Sequence, residues 1–346
     1  MVQDPATERV AGNSDSGIEL SVIVVTWNCW GDLGPCLNAL AEDCRAIHHE
    51  ILVVDNHSAE PPPAGLLEAN PSLTFIPLDR NIGFAPATNL GLEQARGRYV
   101  LLLNPDTLLH VGAIPACLEF LDAHTEYGGA GVRILGADGR VEFACARRLP
   151  TLWRMLCDLV MLDKLLRFAP LFGGVDQPGW DHEGSRDAEM INGAFMLLRK
   201  TVIDELGPLA TDVPFFLEDV EYCIRLHRHG YRIRYLAEQT MIHFGGRSTG
   251  RAEQQWISET RYEARYLQLL HASGAGSARW FVRLLWVALP LKLMLLPLLA
   301  VGKWFVRKQH MFCREVRDSL IGLQWSIRKM RDFDRIHCPV DRLPNA

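Results

Sequence analysis

Three short stretches of this chain place acids and an imidazole where they could do chemistry. In "YVLLLNPDTLLH" (99–110) four apolar residues, Val100 to Leu103, run into Asn104-Pro105-Asp106, so a carboxylate stands where a buried strand should end. A hard divalent cation takes oxygen ligands, which makes Asp106 a candidate to hold one; the same residues also suit an ordinary turn. "FFLEDVEY" (215–222) sets Glu218 and Asp219 side by side at the start of a helix. A carboxylate there can act as a general base toward a hydroxyl, and it equally complements the helix dipole, worth roughly 0.3 to 1 kcal/mol. "MIHFGGRS" (241–248) offers His243 as a second cation ligand, and its two glycines suit a loop passing close to phosphates. A histidine with no such duty fits that stretch as well.

Hydrophobic spacing shows which elements must position these residues. Strands are expected over 20–27, 50–56, 73–79 and 98–106, and helices over 33–44 and 84–97, the second closed by Gly97. Such alternation predicts an α/β fold with a mostly parallel sheet covered by helices. Ligands in these sheets sit beyond the carboxyl ends of the strands. Thr26-Trp27-Asn28, Asp55-Asn56, Asp79-Arg80-Asn81 and Asn104 to Asp106 all fall there, so four strand ends converge on one cleft. A helix near 111–124 follows, then a loop-rich stretch, 172–187, with the composition of a mobile flap. Strands over 190–200 and 231–244 flank a helix that starts near Glu218 or Asp219 and ends at Gly230.

Composition narrows the class. The 346 residues are 48% hydrophobic and 22% charged, enough for a large core, and the net charge of -5 argues against a nucleic-acid partner. Residues 281–335 nevertheless carry a net +7, leaving -12 for the rest. Within them "LLWVALPLKLMLLPLLAV" (284–301) is broken by Pro290, Lys292 and Pro297. A spanning helix wants about 20 apolar residues, so the segment reads as an in-plane or re-entrant helix pair facing anionic headgroups, or as a soluble helical hairpin. The membrane reading places the chain at the cytoplasmic face of the cell membrane, peripheral or monotopic. Nine cysteines without a C-x-x-C pair fit a reduced, cytosolic chain, and the polar residues 1–19 read as a flexible tail.

Taken in order, "VIVVTWN", "VVDNHS", "DRNIGFAPATNLGL", "LLLNPDT", "INGAFMLLRK", "FFLEDVEYCIRLHRHGYRI" and "MIHFGGRST" resemble the inverting glycosyltransferase family 2, especially its rhamnosyltransferase-like branch. The resemblance implies a GT-A fold, Rossmann-like, with a mostly parallel mixed sheet flanked by helices. It implies that Thr26, Asn28 and Asp55 line the base and ribose of a nucleotide-diphosphate sugar, and that Arg80, Asn81, Gly83 and Asn89 close over ribose and diphosphate. Asn104-Pro105-Asp106 stands where the family has its D-x-D motif. With Asn first, Asp106 alone keeps the cation, Mg2+ or Mn2+, and Asn104 bonds the ribose or sugar. By the same resemblance Asp219 is the catalytic base, Glu218 its acidic neighbour and His243 a metal ligand, while Asn192 and Gly193 line the donor sugar and acceptor. "EDVE" departs from the commoner E-D-V-D without touching Asp219; "GPLATDVPFF" replaces Gly-x-Phe-Asp-Glu and leaves the acceptor contacts open.

The implied reaction moves a sugar, rhamnose from dTDP-rhamnose being first choice by resemblance, to a glycan or polyprenyl-diphosphate-linked acceptor in cell-surface polysaccharide synthesis. The expected organisation is a tail (1–19), a catalytic domain (20–250, divided into a nucleotide-binding half, 20–110, and an acceptor half, 111–250) and a helical, basic, membrane-associating region (251–346). A nucleotidyltransferase of similar fold would show a Gly-rich loop with Lys or Arg after the first strand, and "TWNCWGDLG" has neither cation. A non-catalytic scaffold of a polysaccharide assembly complex has no need of Asp106, Asp219 and His243 together. Nothing in the sequence sets an oligomeric state.

Overall fold

A computed structural model describes residues 17–331 apart from 71, 167–168, 178, 212, 214–216, 246–253 and 301–304. Most of the expected N-terminal tail, Phe215-Phe216, the end of "MIHFGGRST" and residues 332–346 lie outside the described residues. β-Branched and leucine-rich runs make β1 (Leu20–Thr26), β2 (His49–Asp55), β3 (Leu73–Pro77) and β4 (Tyr99–Leu103), with α1 (Trp30–Asp43) and α2 (Phe84–Gln94) as crossovers. The chain continues through β5 (Thr107–Leu109), α3 (Ala113–Ala123), β6 (Tyr127–Gly136), β7 (Ala146–Arg147), α4 (Leu152–Leu159) and α5 (Leu162–Leu165). It then forms β8 (Arg186–Ala188), β9 (Met190–Ile191), β10 (Phe195–Arg199), α6 (Lys200–Leu206), α7 (Glu218–Arg228) and β11 (Arg232–His243). Two long helical elements, α8 (Gln254–Ala300), which is broken at Gly274 where φ is 79°, and α9 (Phe305–Arg331), follow.

The sheet order is β3-β2-β1-β4-β10-β6-β11-β5, with β8 also on β11. Strands β1 to β4, β6 and β11 share one direction, and β5, β8 and β10 oppose it, so the sheet is mixed but mostly parallel, as the alternation predicts. β1 and β4 are buried along their whole length because helices cover them, and their residues are apolar at nearly every position for that reason.

Three local expectations are corrected. The strand expected over 190–200 is interrupted: Asn192 Oδ1 accepts from the Ala194 N–H at 2.8 Å, which bends the chain out of the ladder, and α6 starts at Lys200. α2 stops at Gln94, short of Gly97, because the Arg96 and Gly97 N–H groups turn to the Ser21 hydroxyl and the Glu50 carboxylate. A Cβ at Gly97 would stand 2.4 Å from the Ser21 nitrogen, so the position needs glycine. The stretch 172–187 is anchored rather than loose, since Trp180 stacks on the fully buried His182 at 3.8 Å and meets Tyr235 edge-on.

The two C-terminal helices pack on each other. Glu263 accepts from Trp325 and Lys329, the Tyr262 hydroxyl donates to the Asp318 carbonyl, and Gly322 leaves room for the Tyr262 ring. α8 buries Phe281, Val282, Leu285 and Leu289 and exposes Trp280, Trp286, Val287, Leu291 and Met294. Among the described residues no helix is long and apolar enough to cross a membrane.

Candidate active site

Sheet register builds the first corner of the site. Antiparallel pairing of β5 with β11 sets Thr107 opposite His243, which brings His243 Nε2 to 3.4 Å from Asp106 Oδ1. The hairpin after β6 carries Glu142 to the other ring nitrogen, 3.2 Å from Nδ1. Burial by itself lowers the His243 pKa, but hydrogen bonds to Asp106 and Glu142 outweigh it and push the value up to about 9. Among the described residues no group of three or more His, Cys, Asp or Glu side chains is gathered to hold a metal ion. The donor set still fits a divalent cation. An aspartate oxygen faces an imidazole nitrogen, and a carboxylate orients the ring from behind, leaving the remaining coordination to diphosphate oxygens and water.

A second corner lies at the start of α7. Asp219 Oδ1 accepts from the Val220 N–H at 2.7 Å, and Oδ2 accepts from the Gly193 N–H at 3.2 Å. Arg147 from β7 reaches the same Oδ2 at 3.5 Å, with both side chains largely buried. The 192–194 turn that touches Asp219 also holds the Asp106 loop, because the Ala194 carbonyl accepts from the Asn104 N–H at 3.1 Å. Glu218 is buried and accepts from the Leu217 N–H at 3.0 Å.

The third corner is laced across the ends of β1, β2 and β3. Asp55 accepts from the Ser58 N–H and hydroxyl, and the Ser58 oxygen accepts from the Asn28 N–H. Asn28, in the left-handed region at φ 54°, accepts from the Ala59 N–H. Asn56 donates to Asn81 and accepts from the Ile82 N–H, while Asn81 also accepts from the N–H of Gly83, whose φ is 93°. Arg80 is exposed beside them, with no ion-pair partner among the described residues. The Thr26 hydroxyl is buried with no hydrogen-bond partner, and such a group costs stability until something fills the bond. Asn89 is the exception. Its amide is occupied at both ends by the Leu209 backbone, donating to the carbonyl and accepting from the N–H at 2.9 Å each.

The sequence profile of "Glycosyl transferase family 2" matches residues 21–170, and that of "Glycosyl transferase family group 2" matches 179–313. The chain belongs to glycosyltransferase family 2. Within the family it is 24% identical over 212 residues to the N-acetylglucosaminyl-diphospho-decaprenol L-rhamnosyltransferase of Mycobacterium tuberculosis, covering 58% of this chain and 68% of that protein. It is 26% identical over 218 residues to the O-antigen biosynthesis protein RfbC of Myxococcus xanthus, covering 60% of this chain but only 16% of that protein. A poly-beta-1,6-N-acetyl-D-glucosamine synthase of Staphylococcus aureus is 25% identical over 54% of this chain and 40% of its own. The fold is similar to a mannosyltransferase from Pyrobaculum calidifontis solved with GDP-Man and Mn2+, at a TM-score of 0.55 and 17% identity, covering 93% of this chain and 91% of that one.

For this family 2 glycosyltransferase, sequence reasoning missed Arg147 and Glu142. Each reaches a candidate site residue, Asp219 or His243, only through tertiary packing. "CARRLP" (145–150), a pair of arginines inside an otherwise apolar stretch, was the available signal for Arg147. Glu142 carried none, since an acid in a hairpin usually faces water.

Proposed function

We propose that the enzyme transfers a sugar, with inversion, from a nucleotide-diphosphate donor to a glycan or polyprenyl-diphosphate-linked acceptor in cell-surface polysaccharide synthesis, and that the donor is dTDP-rhamnose. One observation carries this reading: the 192–194 turn joins Asp219 on one side to the loop of Asp106, which meets His243, on the other. Asp219 takes the proton of an acceptor hydroxyl while that oxygen attacks the anomeric carbon. The bond from that carbon to the donor's diphosphate oxygen breaks, and its electron pair leaves with the nucleotide diphosphate. Gly193 N–H and Arg147 hold the carboxylate in place for this transfer.

Asp106 and His243 would hold a divalent cation, Mg2+ or Mn2+, which when bound neutralises charge on the departing diphosphate. Thr26, Asn28 and Asp55 would line base and ribose; Arg80, Asn81 and Gly83 the diphosphate; Asn104, Asn192 and Gly193 the sugars. The Mycobacterium tuberculosis relative, whose name joins rhamnose to a diphospho-decaprenol acceptor, supports the choice of substrates. The Mn2+ of the Pyrobaculum calidifontis structure supports the cation. Residues 20–250 would be the catalytic unit and 251–346 its support on the cytoplasmic face of a membrane, peripheral or monotopic. The exposed apolar stripe of α8, bordered by exposed Arg279 and Arg283, supports that placement.

A thermal-shift screen of nucleotide sugars with and without Mn2+ tests the reading. A ligand at 100 times its Kd stabilises the folded state by about 2.7 kcal/mol. The expected result is a cation-dependent rise in Tm with dTDP-rhamnose, followed by transfer to a diphosphate-linked acceptor. A panel in which no nucleotide sugar raises Tm would remove the reading.

A further inference from the structure

Arg147 belongs to two places at once. It reaches Asp219, and it also lines a separate cavity of about 210 Å³ with Arg148, Gln177, Trp180, Arg186 and Glu189. The cavity is smaller than the roughly 300–1,000 Å³ that takes a drug-sized ligand, so its size suits a small group.

The charges around it are unbalanced. Its carboxylates are already engaged: Glu189 accepts from Arg154 at 2.7 Å and from the Leu149 N–H, while Asp187 accepts from Tyr127, Arg232 and Arg234. The arginines are less fully matched: Arg147 reaches Asp219 through one terminal nitrogen only. Arg148's guanidinium has no hydrogen bond or ion pair among the described residues. Arg186 donates to a neutral amide, Gln177 Oε1, at 2.7 Å and lies 3.2 Å over the Trp180 ring. Arg147 Nε is buried with no hydrogen-bond partner. Burial, and next the cation of Arg148, hold the Arg186 pKa below its usual value, outweighing the nearby carboxylates of Glu189 and Asp181. Trp180 is itself fixed by its stack on His182, so the Arg186 fork is held ready for a ligand.

We propose that this cavity binds the phosphate or diphosphate group of the acceptor substrate. Guanidinium forks match phosphate oxygens in bidentate geometry. Arg147 connects the cavity to the carboxylate that would receive the acceptor's proton, which places an anion here on the acceptor side of the reaction. The assignment to the acceptor rests on the transfer reaction proposed above; the anion site itself does not.

Calorimetric titration of the full chain with inorganic pyrophosphate tests the site. EDTA is kept present so that no divalent cation recruits the anion to Asp106. Arg148→Gln and Arg186→Gln should each weaken binding tenfold or more, and Arg140→Gln, at an exposed position away from the cavity, should not. Arg148→Gln decides the matter, because it removes no hydrogen bond or ion pair among the described residues, whereas Arg186→Gln also loosens Trp180. In the transfer assay, the wild type should prefer a diphosphate-bearing acceptor to the alkyl glycoside of the same sugar by tenfold or more in kcat/KM. Arg148→Gln should erase that preference. Absence of pyrophosphate binding, or binding untouched by Arg148→Gln, overturns the site. Loss of binding without any acceptor preference overturns the acceptor assignment and points to a free phosphate or pyrophosphate as the ligand. Correct pyrophosphate behaviour with no sugar transfer at all locates the failure in the reaction reading, not in the cavity.

Discussion

The carboxylate of Asp219 faces the guanidinium of Arg147 at 3.5 Å while accepting the Gly193 N–H through the same oxygen. A base held in this way has its lone pair directed before substrate arrives. Asp219→Asn keeps the shape and removes the proton acceptor, so it should retain nucleotide-sugar binding by thermal shift and lose about 10²- to 10⁴-fold in kcat. Near-normal turnover would take Asp219 out of that role.

His243 links Asp106 to Glu142, and each contact constrains the ring. His243→Ala should abolish the Mn2+-dependent part of the donor-induced Tm shift. Glu142→Gln, which leaves both nominal ligands in place, should weaken Mn2+ affinity by about 10- to 100-fold through loss of ring orientation. Titration of Mn2+ followed by its electron paramagnetic resonance signal reads both.

Asn89 offers a contrast between what family resemblance implies and what packing shows. With both ends of its amide spent on Leu209, Asn89→Ala leaves two backbone groups unsatisfied. The variant should lose about 1–3 kcal/mol of stability in urea denaturation while donor KM changes less than twofold. A raised donor KM at unchanged stability would return Asn89 to the diphosphate.

Asp158 supplies a pH dependence away from the site. Burial, only partly offset by Arg265, raises its pKa to about 7, and its oxygens accept from the Val175 N–H. A carboxyl whose folded pKa lies above its unfolded value near 3.9 stabilises the fold fully below that lower value, and loses that contribution as pH rises through 7. Asp158→Asn should therefore gain stability relative to the wild type between pH 4 and pH 7, by up to about 4 kcal/mol, and the difference should level off above pH 8. Melting curves across that range check the slope.

On α8, Trp286 and Met294 stand exposed while Leu285 and Leu289 are buried. Replacing both with Glu should reduce co-sedimentation with anionic vesicles at least tenfold without lowering Tm, and binding by the wild type should fall as salt is added. Equal binding by variant and wild type would remove the membrane role from this face.

Much of this was legible without coordinates. Alternating apolar runs and helical spacings located β1 to β4 and α7 within a few residues, because local periodicity reports which face of an element is buried. The apolar run that stops at Asn104 marked a strand end, and the acids at 218 and 219 marked a helix start. What the spacing left open was which distant residues face one another. Register between β5 and β11 brings Asp106 to His243, the side-chain turn at Asn192 delivers Gly193 to Asp219, and β7 carries Arg147 to the same carboxylate. Asn89, placed by its motif near the nucleotide, was diverted to a loop backbone that no local pattern predicts. Sequence by itself determined the strands and helices of the first hundred residues, α7 and the inventory of reactive groups, since these depend on neighbours along the chain. Tertiary structure alone decided the partnerships, since each ion pair and hydrogen bond among them needs two segments whose approach is set by sheet register and packing rather than by separation in sequence.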